Sequence, residues 1–421
     1  MGFLRRIYIP VLSRIERVIK TDVRYVMRGS TWLTYSHAVS ALTTLAFAIV
    51  CARFLSKELY GTYKYVFAIS STISVFSLTG LSVAVMNSAA KGFDGTLRYV
   101  FRKNLIWSLP SLLIFFTVSG YYYFVQKDLL LAVSVCIVGL LSPLFASASL
   151  SDSVFSGKRD FKRSALTTSL ASVGVTAATI VAVLLSHNLI VLVSTFMMAS
   201  VVAEGVVYWY ANRVYAKNAD VDKEAMNYGF HLSIMSVLGG IIDRIDSLIT
   251  FQLLGPAQLA VYSFAIAIPE QIKGLGKNVG TLAQPKFSHG NPDLARKTML
   301  HKMTVFAVGM FVVSVCYIYA APYFFHYLFP QYEEGAVFLS QVSALFLFST
   351  ANVLPVSFLQ AHADKRRLYY FNVSGSVFQC IGICVGAYFG LLGIVLGVGI
   401  SRVCRLIASY VLVRVSSAQT V

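Results

Sequence analysis

Residues 129–186 read LLLAVSVCIVGLLSPLFASASLSDSVFSGKRDFKRSALTTSLASVGVTAATIVAVLLS. Two long apolar runs, 129–151 and 164–186, flank a tight basic cluster of Lys158, Arg159, Lys162 and Arg163. About 20 predominantly apolar residues in a helix cross the hydrocarbon core of a bilayer. The stretch therefore reads as two antiparallel membrane spans joined on the side that retains cations.

The same pattern extends in both directions. Apolar runs at 31–53, 65–87, 105–125, 129–151, 164–186, 188–211, 228–253, 259–281, 303–323, 336–360, 372–390 and 393–413 give twelve spans. Composition agrees: 57% of the 421 residues are hydrophobic and 13% charged, with a mean hydropathy of +0.70. Soluble domains carry roughly a quarter charged residues, so there are too few here to coat one. The formal net charge of +17 would suit a nucleic-acid binder only on a folded basic groove, which such a chain does not offer. No nucleic-acid partner is expected.

Connections alternate in charge. One side takes Arg5 to Arg28, then Lys91 to Lys103, Lys158 to Arg163, Arg213 to Lys223, Lys286 to Lys302, Lys365 to Arg367 and Arg414, 26 cations in all; the other takes Lys57, Lys64 and Lys127. Under the positive-inside rule this places both termini in the cytoplasm. The expected organisation is a basic cytoplasmic segment 1–30, a six-helix lobe 31–211, a linker 212–227, a second six-helix lobe 228–413 and a tail 414–421. Residues 11–26 place Val11, Ile15, Val18, Ile19 and Val23 opposite Arg14, Arg17, Lys20 and Arg24. They read as an amphipathic helix on the anionic inner leaflet or as a solvated basic tail. No cleavable signal precedes the first span.

Sliding the chain on itself by 199 positions superimposes Leu55, Tyr63, Ala68 and Ile69 on Leu254, Tyr262, Ala267 and Ile268. Two parallel repeats are the arrangement of an alternating-access carrier, unless the duplication serves stability alone. The fold class expected is an all-α polytopic membrane protein of twelve transmembrane helices in two six-helix lobes around a central cavity.

Enzyme chemistry finds no place. The longest outward connection, about Pro322 to Gly335, carries only Glu333 and Glu334, too little for a sugar polymerase or ligase. A phosphate-binding GxxxxGK[ST] loop is missing. Cys51, Cys136, Cys316, Cys380, Cys384 and Cys404 sit in apolar runs without zinc spacing and read as packing residues. No catalytic residue, metal site or bound cofactor is expected.

Charges inside spans are costly, so each asks for a partner, a wet cavity or a task. Arg53 ends span one and Glu204 lies in span six. Asp243, Arg244 and Asp246 share span seven, Glu270, Lys273 and Lys277 form a stripe on span eight after Pro269, and Arg402 and Arg405 share a face of span twelve. Arg53, Arg244, Lys273, Lys277, Arg402 and Arg405 are the candidate anion contacts; the alternative is mutual pairing or snorkelling. Asp243, Asp246 and Glu270 are the candidates for coupling to a proton or sodium gradient. His37 and His231 are either relays or hydrogen-bonded packing residues.

The phrase Ala52-Arg53-Phe54-Leu55-Ser56-Lys57-Glu58-Leu59-Tyr60-Gly61-Thr62-Tyr63, the Asp-bearing span seven with Leu254-Gly255 and Tyr262, Gln284 to Phe287, Phe329 to Gly335 and Gln360 to Arg367 follow in an order that resembles the bacterial polysaccharide transporter family. These are the O-antigen and capsule repeat-unit flippases of the multidrug/oligosaccharidyl-lipid/polysaccharide exporter superfamily. The resemblance covers about residues 30 to 415, although Val261 stands where a glycine is expected. It implies an inner-membrane carrier of undecaprenyl-diphosphate-linked oligosaccharide, ion-gradient coupled and serving lipopolysaccharide synthesis. Membrane lipid, a polysaccharide polymerase and chain-length proteins are its implied partners. A drug or small-metabolite antiporter of the same superfamily would instead need a smaller, more acidic cavity.

Overall fold

The computed structural model describes residues 23–78, 80–289, 292–361 and 365–415, so the amphipathic segment up to residue 22 lies outside the described residues. The described part is helical, and its helices fall into twelve rods in the expected order. The first six rods comprise α1 (Val23–Phe54), α2 with α3 (Lys57–Ser74, Leu81–Lys91), α4 with α5 (Thr96–Trp107, Leu109–Phe124), α6 with α7 (Asp152–Gly157 continuing Leu129–Ala148), α8 (Phe161–Leu185) and α9 (Leu189–Tyr215). The last six comprise α10 with α11 (Lys223–Ile242, Ile245–Leu254), α12 (Pro256–His289), α13 (Pro292–Leu328), α14 with α15 (Glu333–Leu345, Val353–Ala361), α16 (Lys365–Ala387) and α17 (Gly390–Val415).

Side chains that prefer to cap set the starts. Ser56, Asp128, Asp160, Asn188 and Asp222 each accept a hydrogen bond from a first-turn N–H of α2, α6, α8, α9 and α10, meeting donors the helix leaves unpaired. Several helices run past the apolar windows at their cation-rich ends, because an apolar window marks the hydrocarbon while the helix continues into the headgroups. The outward connection expected at Pro322 to Gly335 is largely absorbed: α13 continues through Pro322 to Leu328, and α14 begins at Glu333.

Among the described residues, nine helical segments are long and apolar enough to cross a membrane. The three rods that fail the test are spans two, seven and eight. Two of them break in mid-course, between Ser74 and Leu81 and at residues 243–244, and the third carries Glu270 and Lys273. These three rods also hold the lobes together: α2 packs on α12 and α11, and α3 packs on α10. Rods facing a lobe interface need less lipid-compatible surface, so their polarity follows from their position.

Calling the cation-rich side inner and the other outer, the cores differ at the two ends. The outer half holds one continuous core, running from Cys51, Tyr60 and Tyr63 of the first lobe to Tyr262, Phe264, Tyr332 and Ile394 of the second. The inner half has two separate cores, one around Leu81, Phe155 and Ala225 and another around Phe287, Met299 and Phe358. The lobes thus share one core at their outer ends, while toward the inner ends their contact runs through α3 against α10, where the Gly80 N–H donates to Ser233 Oγ at 2.9 Å, and the core around Phe287 belongs to the second lobe alone. In the second lobe α16 and α17 meet backbone to backbone: a Cβ on Gly382 would lie 2.4 Å from the Gly397 carbonyl oxygen, and one on Gly397 would lie 2.0 Å from that of Gly382. That approach fixes the rotation of α17, which carries Arg402 and Arg405.

Candidate functional site

The outer seal is built first. Gly61 of α2 lies so close to α12 that a Cβ there would be 1.8 Å from the Pro256 carbonyl oxygen. Around this approach Tyr60 stacks on Phe264 at 4.7 Å and Tyr65 on Phe251 at 3.7 Å. The Tyr65 and Tyr122 hydroxyls share a hydrogen bond of 2.6 Å, and the Gln252 amide donates to both. Arg53 donates from Nη2 to the Tyr327 carbonyl oxygen at 3.0 Å. The structure therefore places Arg53 in the outer seam between α1 and α13, apart from the other candidate cations.

Inward of the seal, the break between α10 and α11 presents Asp243 and Arg244, both exposed, with Arg244 at φ −121° and ψ 3°. At 1.5 Å per residue from the outer helix ends, Asp246 lies about 12 Å deep, Arg402 about 18 Å and Glu270 about 21 Å. These are mid-bilayer depths, where a charged group needs protein or water around it rather than lipid.

Asp246 is 9% exposed; its Oδ2 accepts from the Tyr262 hydroxyl at 2.6 Å and its Oδ1 from the Ser247 N–H at 2.7 Å. Glu270 accepts from Lys273 Nζ at 2.9 Å and from Arg402 Nη2, tying α12 to α17. The side chains of Glu270, Lys273 and Arg402 keep 35%, 24% and 20% of their surface, so the trio stays reachable. Arg405, one turn away, is used differently: Nη2 donates to Gln379 Oε1 at 3.3 Å, Gln379 donates to the Ile242 carbonyl, and the guanidinium fills the space over Gly375. The Lys277 and His231 side chains lie outside the described set, and His37 is exposed on α1.

One cation belongs here that charge counting assigned to an outer connection. Lys64 lies within α2, one turn after Tyr60, with Nζ 5.4 Å from that ring's centroid and within electrostatic reach of Arg244 across the interface. The readable signal was Ser56 followed by Glu58, a helix start that puts Lys64 two turns inside span two. Glu204 lies apart, in the first lobe near Asp152, with Oε2 buried and without a hydrogen-bond partner.

The 199-residue offset gives these charges a control. Tyr63 is the seventh residue of α2 and Tyr262 the seventh of α12. In the first lobe Tyr63 meets Phe47, with ring centroids 5.9 Å apart; in the second, the residue at the Phe47 position is Asp246, and Tyr262 bonds it. Arg244, Glu270 and Lys273 likewise stand where the first lobe has Leu45, Ser71 and Ser74. The same framework forms without these charges, so packing alone does not require them.

A family described as polysaccharide biosynthesis protein matches residues 26–275. No curated protein matches by sequence. Among solved structures, an inward-facing multidrug resistance MATE transporter of the MOP superfamily is similar at TM-score 0.69 and 14% identity, covering 91% of this chain and 96% of that one. The lipid II flippase MurJ in an inward closed conformation is similar at TM-score 0.68 and 14% identity, covering 94% and 88%. A MOP transporter from Pyrococcus furiosus, with a binding pocket of reversed polarity, is similar at TM-score 0.62 and 14% identity, covering 94% and 95%. At such identity the shared property is the fold, twelve helices in two lobes.

Proposed function

We propose, for a chain that belongs to the polysaccharide biosynthesis protein family, that it flips an undecaprenyl-diphosphate-linked oligosaccharide between leaflets. Movement is from the cytoplasmic to the periplasmic side of the bacterial inner membrane, by alternating access and without making or breaking a bond. The observation that carries this reading is the cationic set at mid-bilayer depth inside a sealed outer end. Lys64 from the first lobe lies within electrostatic reach of Arg244 from the second, and Lys273 and Arg402 gather on Glu270 deeper in the second lobe, with Asp243 and Asp246 as the remaining counter-charges. A diphosphate supplies the missing negative charge, and guanidinium groups bind its oxygens bidentately in a water-poor cleft.

Glu270 holds Arg402 and Lys273 in place while no anion is present, and a diphosphate competing for the same donors would free the α12–α17 link. Coupling to a proton or sodium gradient is assigned to Asp246. It is buried, it is bonded to neutral donors rather than to a cation, and the first lobe's counterpart is a phenylalanine. Polymerase and chain-length proteins are the partners that would receive the flipped unit.

Deletion of the gene tests the reading. Mass spectrometry should find lipid-linked repeat units accumulating unpolymerised on the cytoplasmic side, cleared by the wild-type chain and not by a Lys64→Ala/Arg244→Ala variant. A deletion strain with normal polymer and no accumulation would remove the proposal.

A further inference from the structure

Away from the interface, α8 and α9 enclose a groove of about 660 Å³ that opens toward lipid. Small residues carve it: Ala171 and Gly174 on α8 face Ala199 and Ala203 on α9, and a Cβ on Gly174 would meet no atom within 4 Å. Its walls are apolar, with Leu170 72% exposed. Residues 163 to 175 rise about 18 Å along α8, close to the ~15 Å of one leaflet, so the groove holds one acyl chain rather than a long polyprenyl.

The inner end is cationic. Arg163 lines the groove, and Arg213 sits 5.2 Å over the ring of Trp209, itself in the groove wall. Arg163 contacts the Tyr215 hydroxyl and Asp160 Oδ2, each at 3.2 Å, both through Nη1. A guanidinium has five N–H donors in a planar fork, so with both contacts made through Nη1 the Nη2 and Nε donors are left for a phosphate. Lys162 stands beside it, 5.9 Å from the Trp32 ring centroid. Three cations against Asp160 leave the rim positive, at the level where the indole marks the headgroup boundary.

We infer that this groove is a binding site for an anionic glycerophospholipid of the inner leaflet, one acyl chain between α8 and α9 and the phosphate on Arg163 and Arg213. It is separate from the cargo cleft and independent of what the protein flips.

Native mass spectrometry of the full-length protein in detergent, with phosphatidylglycerol or phosphatidylcholine of matched chains, tests this. Phosphatidylglycerol should be retained roughly 30-fold more tightly, the weight of two cations near an anionic surface. An Arg163→Gln/Arg213→Gln variant should lose that preference, and a Gly174→Leu/Ala203→Phe variant should lose the bound lipid with helicity unchanged. Equal retention of the two lipids by the wild-type protein overturns the inference whether or not the filled variant folds. Displacement of phosphatidylglycerol by a polyprenyl diphosphate, or unchanged retention in a folded filled variant, overturns it as well.

Discussion

Gly61 offers a direct handle on the outer seal. In the sealed state a Cβ there would lie 1.8 Å from the Pro256 carbonyl oxygen and 2.6 Å from its carbon. Ordinary contact begins near 3.4 Å, so α2 and α12 would have to part by about 1.6 Å, and the obstacle is backbone with no rotamer to yield. Overpacking costs about 1–3 kcal/mol, and a rigid backbone contact belongs at the upper end. The clash exists only where the outer ends meet, so the cost is differential and shifts the equilibrium. About 3 kcal/mol is roughly a 150-fold change in the ratio of outer-open to outer-closed molecules. Nitroxide labels on Glu58 and Gln258, exposed residues on the two sides of the seam, report it by double electron–electron resonance after the six native cysteines are replaced. Gly61→Ala should add a longer-distance population and slow transport with the protein still folded. A distance distribution identical to wild type would refute the reasoning that this backbone approach closes the outer end.

Three further outcomes follow from the same geometry. Asp246→Asn should stay in the membrane near wild-type level, since Tyr262 keeps a bonding partner and a hydrogen bond is worth only about 1 kcal/mol net, yet lose dependence on an imposed pH or sodium gradient; gradient-dependent flipping by the variant moves the coupling site elsewhere. Asp222, 7% exposed, is held below the usual carboxylate range by the Ala225 N–H it caps and by Lys91 at 3.0 Å. Its folded-state pKa is depressed, so its contribution is present above the unfolded value near 3.9 and lost as pH falls through the folded one. Thermal midpoints in detergent should therefore drop below about pH 4 less steeply in Asp222→Ala, which also gives up roughly 1 kcal/mol of capping at all higher pH. Impermeant cysteine labelling should reach position 58 from outside and position 158 only after permeabilisation; external labelling at 158 would invert the topology.

Much of the fold was legible because lipid imposes a simple rule: long apolar runs alternate with cations, as at 129–186, and Lys158 to Arg163 mark the retained side. The charged residues Arg244, Asp246, Glu270, Lys273 and Arg402 stood out because hydrocarbon tolerates none of them idly. Less visible was anything set by the lobe interface. Lys64 looked like a loop residue because hydropathy cannot see that Tyr60 and the facing lobe replace lipid around it. Arg53 looked like a cavity cation, although its carbonyl partner on Tyr327 is 274 residues away. Arg402 and Arg405 shared a helical face in sequence, but only Gly375 and Gln379 on α16 determine that Arg405 is occupied in packing. The repeat was faint in four identities, and it became informative only once Phe47 and Asp246 were seen against the same tyrosine of each lobe.

Flipping by the purified chain is the most direct measurement of diphosphate recognition between the lobes. Reconstituted in vesicles with a fluorescent lipid-linked oligosaccharide, the wild-type protein should move the lipid between leaflets, read as loss of protection from an impermeant quencher. Lys64→Ala, Arg244→Ala and Arg402→Ala should each slow the movement by an order of magnitude or more, the loss of one charge-assisted contact of about 1.5–3 kcal/mol, at unchanged reconstituted amount. Flipping at wild-type rate by all three variants, or flipping equally fast of a lipid whose diphosphate has been removed, would contradict the claim that a cationic cleft between the lobes recognises the diphosphate.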